Sequence, residues 1–272
     1  MLSFGNMFMP YLAAVLFGFV ITTTPAQAAD CGAESGITSR DLTFVQIKPD
    51  GKPRIDAGAL FMNAAPGNRA LAALHRCAAK NDAEAMAFLG MYYSGKDEAK
   101  SMDWYQRAYA GGSNVGCNIA KKYDLGKGVQ RNDTEAAKWY LKSADRGDAG
   151  CQYNLGLLYL DGRGVPKDMG NAIKWWRKAA DQGSASAQFN LGAVYKDGDG
   201  VPVDKIQAVR FYLLACKNEH SEGCFLSGAM IFNGDGVQQN KDQGVTLIRR
   251  AAKLDPNNNK AVVALKKLGI KP

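Results

Sequence analysis

The apolar positions of this chain fall into short helical runs separated by glycine. In 184–196 (SASAQFNLGAVYK), Ala187, Leu191, Val194 and Tyr195 recur three to four residues apart, the spacing of one buried helix face. Gly198 and Gly200 follow, and glycine tolerates the left-handed conformation in which many helices end. A second start signal comes at once. Asp204 is a good N-cap residue and stands three positions before Gln207. This is close to the capping box, in which the N3 side chain reaches back to the N-cap amide. Apolar residues then resume through Phe211-Tyr212 to Ala215-Cys216. The pattern predicts a helical hairpin: helix A, glycine loop, helix B.

The hairpin recurs. Gly-x-Gly-Val stands at 126–129, 162–165, 198–201 and 234–237, each copy 36 residues after the last. Ahead of these loops lie Ala120, Gly156, Gly192 and Gly228, then Tyr123, Tyr159, Tyr195 and Ile231. Behind them the N-cap column reads Asn132, Asp168, Asp204 and Asn240, with Glu135, Asn171, Gln207 and Gln243 three positions on. Trp139-Tyr140, Trp175-Trp176, Phe211-Tyr212 and Leu247-Ile248 follow in step. One helical pair cannot bury its apolar face alone, whereas stacked pairs share a continuous core. The repeated glycines, with Ala172 and Ala208, are small where helices need to approach closely. The aromatic pairs are predicted to fill the space between layers, as core and not as a cofactor or base-stacking surface.

The segments 148–183 (DAGCQYNLGLLYLDGRGVPKDMGNAIKWWRKAADQG) and 184–219 (SASAQFNLGAVYKDGDGVPVDKIQAVRFYLLACKNE) resemble Sel1-like repeats, relatives of the tetratricopeptide repeat. Copies at 113–147 and 220–255 match with more drift. A fifth, 81–112, keeps Leu89-Gly90, Tyr93, Asp97 and Trp104-Tyr105 but has a shorter loop without Gly-x-Gly-Val. The resemblance implies an all-α fold, a right-handed α-solenoid of about five helix-turn-helix repeats over 65–272 that serves as a protein-binding scaffold. Residues 66–80 read as a lone helix on the first repeat, and 256–272 as a C-terminal cap with its helix at 257–268.

The N-terminal stretch is of another kind. Residues 1–29 carry no charge, and an apolar run from Tyr11 to Ile21 leads to Ala26-Gln27-Ala28. The run is short for a membrane span and ends in a small-x-small site, so 1–28 reads as a signal peptide cleaved after Ala28, with a periplasmic or secreted product. In the arm 29–64, LTFVQI and RIDAGALFM flank KPDGKP, which reads either as a short hairpin or as irregular chain.

An exported chain with six cysteines points to disulfides, and fifteen complete pairings are open. The alternative is buried thiols that fill space between helices. Cys216 and Cys224 sit eight apart, near the end of one helix B and on the next helix A. That spacing can bring two side chains together across the turn. It resembles the cysteine pattern of the Helicobacter cysteine-rich proteins, which implies a Cys216–Cys224 bond. Cys31–Cys77 and Cys117–Cys151 follow only by remainder.

No Gly-x-Ser-x-Gly, P-loop, His-Glu-x-x-His or Ser-x-x-Lys motif occurs, so the chain is expected not to be an enzyme, with no catalytic residue, cofactor or metal. Asp197-Gly-Asp199-Gly and Asn233-Gly-Asp235-Gly lack the closing Glu of a calcium loop and are assigned to helix capping. His75 and His220 are read as surface residues. The formal charge is +8, and part of the excess is ordered: Lys138, Lys174 and Arg210 share one column on helix B, while Lys142, Lys178 and Arg250 share another. These are either solvated faces kept for solubility or a stripe that docks an acidic protein or an anionic envelope component. Nucleic acid does not fit an exported chain. The expected role is an inhibitor, regulator or immunity-type protein that occludes a protein partner. The alternatives are a β-lactam-binding hydrolase, as attributed to the cysteine-rich branch, and a structural envelope protein that binds glycan.

Overall fold

A computed structural model describes residues 46–47, 53–54, 69–257 and 259–271. The expected signal peptide and Cys31 lie outside them. So does the N-terminal arm, except for one small antiparallel ladder. There β1 (Gln46–Ile47) pairs with β2 (Pro53–Arg54) in the register Gln46↔Arg54 and Ile47↔Pro53. The two strands expected around a turn at 48–53 are thus two residues each, and Pro53 belongs to the second strand and not to the turn.

All other regular structure among the described residues is α-helical, in two compact units, residues 1–131 and 132–272. The first contains α1 (Arg69–Ala79), α2 (Ala83–Tyr93), α3 (Glu98–Ala110) and α4 (Gly116–Leu125), each packed on the next. The second contains α5 (Asp133–Asp145), α6 (Ala149–Asp161), α7 (Met169–Asp181), α8 (Ala185–Asp197) and α9 (Lys205–Lys217). It continues with α10 (Ser221–Asn233), α11 (Lys241–Leu254) and α12 (Asn259–Lys267). Here too every helix packs on its successor.

The repeated columns have physical causes. A Cβ built on Gly156 would stand 2.4 Å from Trp176 Nε1, and one on Gly192 2.6 Å from the Tyr212 ring. Gly90 meets Tyr105 in the same way. The helix-A glycine therefore admits the second aromatic of helix B. Trp176, Tyr140 and Tyr212 are among the largest fully buried side chains, and the Trp176 indole N–H donates to the Tyr153 carbonyl at 3.2 Å. The first glycine of each Gly-x-Gly-Val ends helix A with a left-handed C-cap, as at Gly162 (φ 70°) and Gly198 (φ 79°). The second glycine lies against the start of the preceding helix B. A Cβ at Gly164 would stand 2.0 Å from the Asp133 carbonyl oxygen, and Gly128, Gly200 and Gly236 press on Glu98, Met169 and Lys205. The motif thus sets the spacing between consecutive repeats.

Helix B is capped as its start signal implies, but by half of the expected box. Asn132, Asp168, Asp204 and Asn240 each accept the N3 backbone N–H, at 3.0, 2.9, 2.9 and 3.0 Å. The return bond is pre-empted. The N-cap amides of Asp168, Asp204 and Asn240 already donate to the Tyr159, Tyr195 and Ile231 carbonyls on helix A. The N3 side chains turn elsewhere: Glu135 accepts from Lys138, and Asn171 donates to the Asp168 carboxylate.

Consecutive hairpins are tied by one recurrent junction. Gln152 Nε2 donates to the Ala144 carbonyl, and Gln188 Nε2 to the Ala180 carbonyl, both at 3.0 Å. Gln182 and Asn218 extend this row to Gln152 Oε1 and Gln188 Oε1 at 2.8 and 2.9 Å. At the next junction Cys216 and Cys224 occupy the Ala and Gln positions and are joined by a disulfide, with Cα atoms 4.4 Å apart. The end of the second unit is closed by α12, whose fully buried Ala261 and Leu265 pack with Ile248, Ala251 and Ala252.

Candidate functional site

Three groups of side chains carry chemistry beyond packing. In the first unit, Lys122 on α4 is buried and forms a salt bridge with Glu98 of α3. Its Nζ also lies 3.2 Å from Ser94 Oγ. The Lys122 hydrogen bond holds the Glu98 carboxyl below the usual range against some desolvation. Burial raises the phenol of nearby Tyr105 to about 12. A serine within reach of a lysine resembles a nucleophile and its base, but this amine is committed to a carboxylate and so is poorly placed to take a proton. The sequence reading missed the group. Its signal was available: Lys122 stands in a column otherwise filled by Leu158, Val194 and Met230.

The second group surrounds the disulfide. His220 is not a surface residue, as expected, but the half-buried N-cap of α10, its Nδ1 accepting the Gly223 N–H at 3.1 Å. Its ring stacks on Phe189 with centroids 4.5 Å apart. Burial holds its pKa below 6.5, opposed in part by Glu222. Asp148 and Ser184 cap α6 and α8 from the equivalent positions, so the 36-residue step was the signal overlooked. His75 also has neighbours, with Nε2 3.3 Å from the Tyr93 hydroxyl and its ring edge-on to Trp104.

Of the two pairings drawn by remainder, Cys117–Cys151 is not formed. Cys117 and Cys151 are buried thiols, as is Cys77, whose expected partner Cys31 lies outside the described residues.

The third group is the basic helix-B columns. Lys138, Lys174 and Arg210 are all exposed, on α5, α7 and α9. Lys138 is engaged with Glu135 at 2.7 Å. In the second column Lys142 and Lys178 lie 5.4 and 4.1 Å from the ring centroids of Trp139 and Trp175. Arg250 Nη2 reaches the Lys217 carbonyl at 3.5 Å. The second column is therefore partly absorbed by covering aromatic faces, whereas Lys174 and Arg210 remain at the surface. In the two loops assigned to capping, the C-caps are the left-handed Gly198 and Gly234, while the Asp197 and Asp235 carboxylates pair with Lys196 and Lys205 at 2.9 and 2.7 Å. None of the described helices is long and apolar enough to cross a membrane.

No curated protein matches the chain. Among solved structures it is similar to c5321, a protective antigen of uropathogenic Escherichia coli, at 32% identity and TM-score 0.68. That match covers 74% of this chain, which spans only 44% of c5321. A Sel1 repeat protein from Oxalobacter formigenes matches at 28% identity and TM-score 0.70, over 79% of this chain and 89% of that one. The immunity protein PA5088 of Pseudomonas aeruginosa shares the fold at 18% identity and TM-score 0.50, over 90% and 88%. The Sel1 repeat family profile matches five times, at residues 83–113, 117–148, 149–184, 185–220 and 221–256. With five copies over most of its length, the chain belongs to the Sel1 repeat family.

Proposed function

We propose that this chain is an exported scaffold that binds another protein and acts by occluding it, as an inhibitor, regulator or immunity-type protein. One observation carries the reading. Most positions that repeat are consumed by packing and capping, while several positions exposed on helix B change from hairpin to hairpin, as from Gly170 and Lys178 on α7 to Ile206 and Leu214 on α9. A regular frame with a varied surface suits recognition of one particular partner. Export rests on the leader 1–28, and one concrete version is an immunity protein, the role named for PA5088.

The test is affinity capture with the mature chain from the exported fraction, read by mass spectrometry, beside incubation with a chromogenic β-lactam and with peptidoglycan. A stoichiometric protein partner without turnover is the expected result. Sustained β-lactam turnover, or retention by peptidoglycan with no protein partner, overturns the reading. N-terminal sequencing of the exported protein is expected to begin at Ala29.

A further inference from the structure

Helix α9 departs from its neighbours on the face turned to solvent. At four-residue steps along that face α7 carries Gly170, Lys174 and Lys178, and α11 carries Asp242, Thr246 and Arg250. The same steps in α9 are Ile206, Arg210 and Leu214. Ile206 is 65% exposed, Leu214 36%, and Val203, just ahead of the N-cap, 58%. Phe211 of α9 stacks on Tyr195 of α8 and packs against the core cluster that holds Ala172, Ile173 and Trp176 of α7, while Leu247 of α11 packs against the cluster that holds Ala208 and Tyr212, and Arg250 of α11 reaches the Lys217 carbonyl. The surrounding charge is mostly positive: α7 carries Lys174 and Lys178, α11 carries Arg249 and Arg250, and Asp242 at the start of α11 is the one acid in these two rows. Among the described residues no carboxylate lies within salt-bridge distance of Lys174, Arg210, Lys217 or Arg249. α9 itself contains Lys205, Arg210 and Lys217 and no acidic residue.

We propose that this face of α9, with α7 and α11 on either side, is the docking site for an acidic amphipathic helix of a partner protein. The proposal rests on the scaffold reading and names its surface and the chemistry of its partner. Exposed apolar side chains in a row call for apolar anchors at helical spacing, and cations without carboxylates call for acids beside those anchors. At about 1.5 Å of rise per residue, α9 presents a track of about 20 Å, or some three to four turns of a bound helix. An anionic membrane shares the charge, but surface-lying helices insert a broad apolar face, whereas here only two or three apolar side chains stand among Lys174, Lys178, Arg210 and Arg250.

The probe is a fluorescein-labelled peptide helix with Leu on one face and Glu on the other, titrated with the mature chain and followed by anisotropy. Saturable binding that weakens with salt is expected. Ile206→Asp with Leu214→Asp is expected to weaken it at least tenfold, Lys174→Glu with Arg210→Glu similarly, and Leu141→Asp on α5 not at all. Circular dichroism checks that each variant is folded. Absent binding, or binding unaffected by the α9 substitutions, overturns the proposal. Binding to phosphatidylserine vesicles but not to the peptide, lost on the same substitutions, also overturns it and marks a membrane face. If the α9 variant still retains a captured native partner at full affinity, this face is refuted and the scaffold reading stands. If the peptide binds as expected while no native partner is found and β-lactam is turned over, the scaffold reading fails instead.

Discussion

The two glycines of one loop make the clearest test of the packing argument, because they share a backbone conformation and differ in what they touch. Gly162 has φ 70° and Gly164 φ 67°. An alanine at either position meets the left-handed penalty of about 1–2 kcal/mol, offset in part by about 0.4–1 kcal/mol from a stiffer unfolded chain. At Gly162 the nearest atom to an added Cβ is Lys167 Cβ at 3.1 Å, which has to give by only a few tenths of an ångström, so Gly162→Ala is expected to cost about 1 kcal/mol. At Gly164 the added Cβ lies 2.0 Å from the Asp133 carbonyl oxygen and 2.4 Å from its carbon, which are backbone atoms at the start of α5. Relieving that overlap moves one repeat against another and adds about 1–3 kcal/mol, for a total near 3 kcal/mol. With a urea slope of about 2 kcal/mol/M, the two variants should then melt about 1 M apart. Urea titration followed by circular dichroism and tryptophan fluorescence measures the gap. Equal midpoints for the two variants would refute the claim that the second glycine sets repeat spacing.

Gly156→Ala tests the contact inside a repeat. Helix propensity alone predicts a gain of about 1 kcal/mol, whereas the overlap with Trp176 predicts a net loss of about 1–2 kcal/mol, so the sign of the shift in thermal midpoint decides. Because the disulfide occupies the slot of an Ala/Gln pair, Ala180→Cys with Gln188→Cys is expected to oxidise spontaneously. Intact mass before and after alkylation would show the new bond, and persistent thiols would count against the equivalence of the junctions. The His220 cap needs an unprotonated Nδ1, and burial lowers this group's pKa below 6.5, so its contribution is full above pH 6.5 and is lost as the pH falls through the folded value. His220→Asp, which copies the Asp148 cap, should flatten the stability profile just below pH 6.5; a profile identical to the parent's would remove His220 from the account.

The fold was legible because each repeated position meets the same neighbour in every copy, so one contact is written several times in the chain. Gly156, Gly192, the N-cap column and the second aromatic of each pair all read in this way. What escaped notice occurs once. Lys122 is a single charge in an apolar column, and His220 is one imidazole in a column of oxygen caps; each acts through a partner, Glu98 or Gly223, that residue type alone does not reveal. The return half of the capping box failed for a related reason, since the Asp168 amide had been claimed by the Tyr159 carbonyl through a contact formed only when the hairpin closes.

The same logic separates residues kept for folding from residues kept for something else. A large apolar side chain gains about 1.5–3 kcal/mol when fully buried, and Ile206, at 65% exposure, forgoes most of that gain. Its column shows that the hairpin does not need it, since Thr134, Gly170 and Asp242 stand in the equivalent places of α5, α7 and α11. Ile206→Thr is therefore expected to leave the urea midpoint unchanged within about 0.5 kcal/mol, as for surface substitutions away from packed features. A loss of 2 kcal/mol or more would show that Ile206 is buried in the folded molecule and belongs to the core. Stability unchanged while peptide affinity falls would locate its selection in recognition, because nothing in the packing of α9 calls for an isoleucine there.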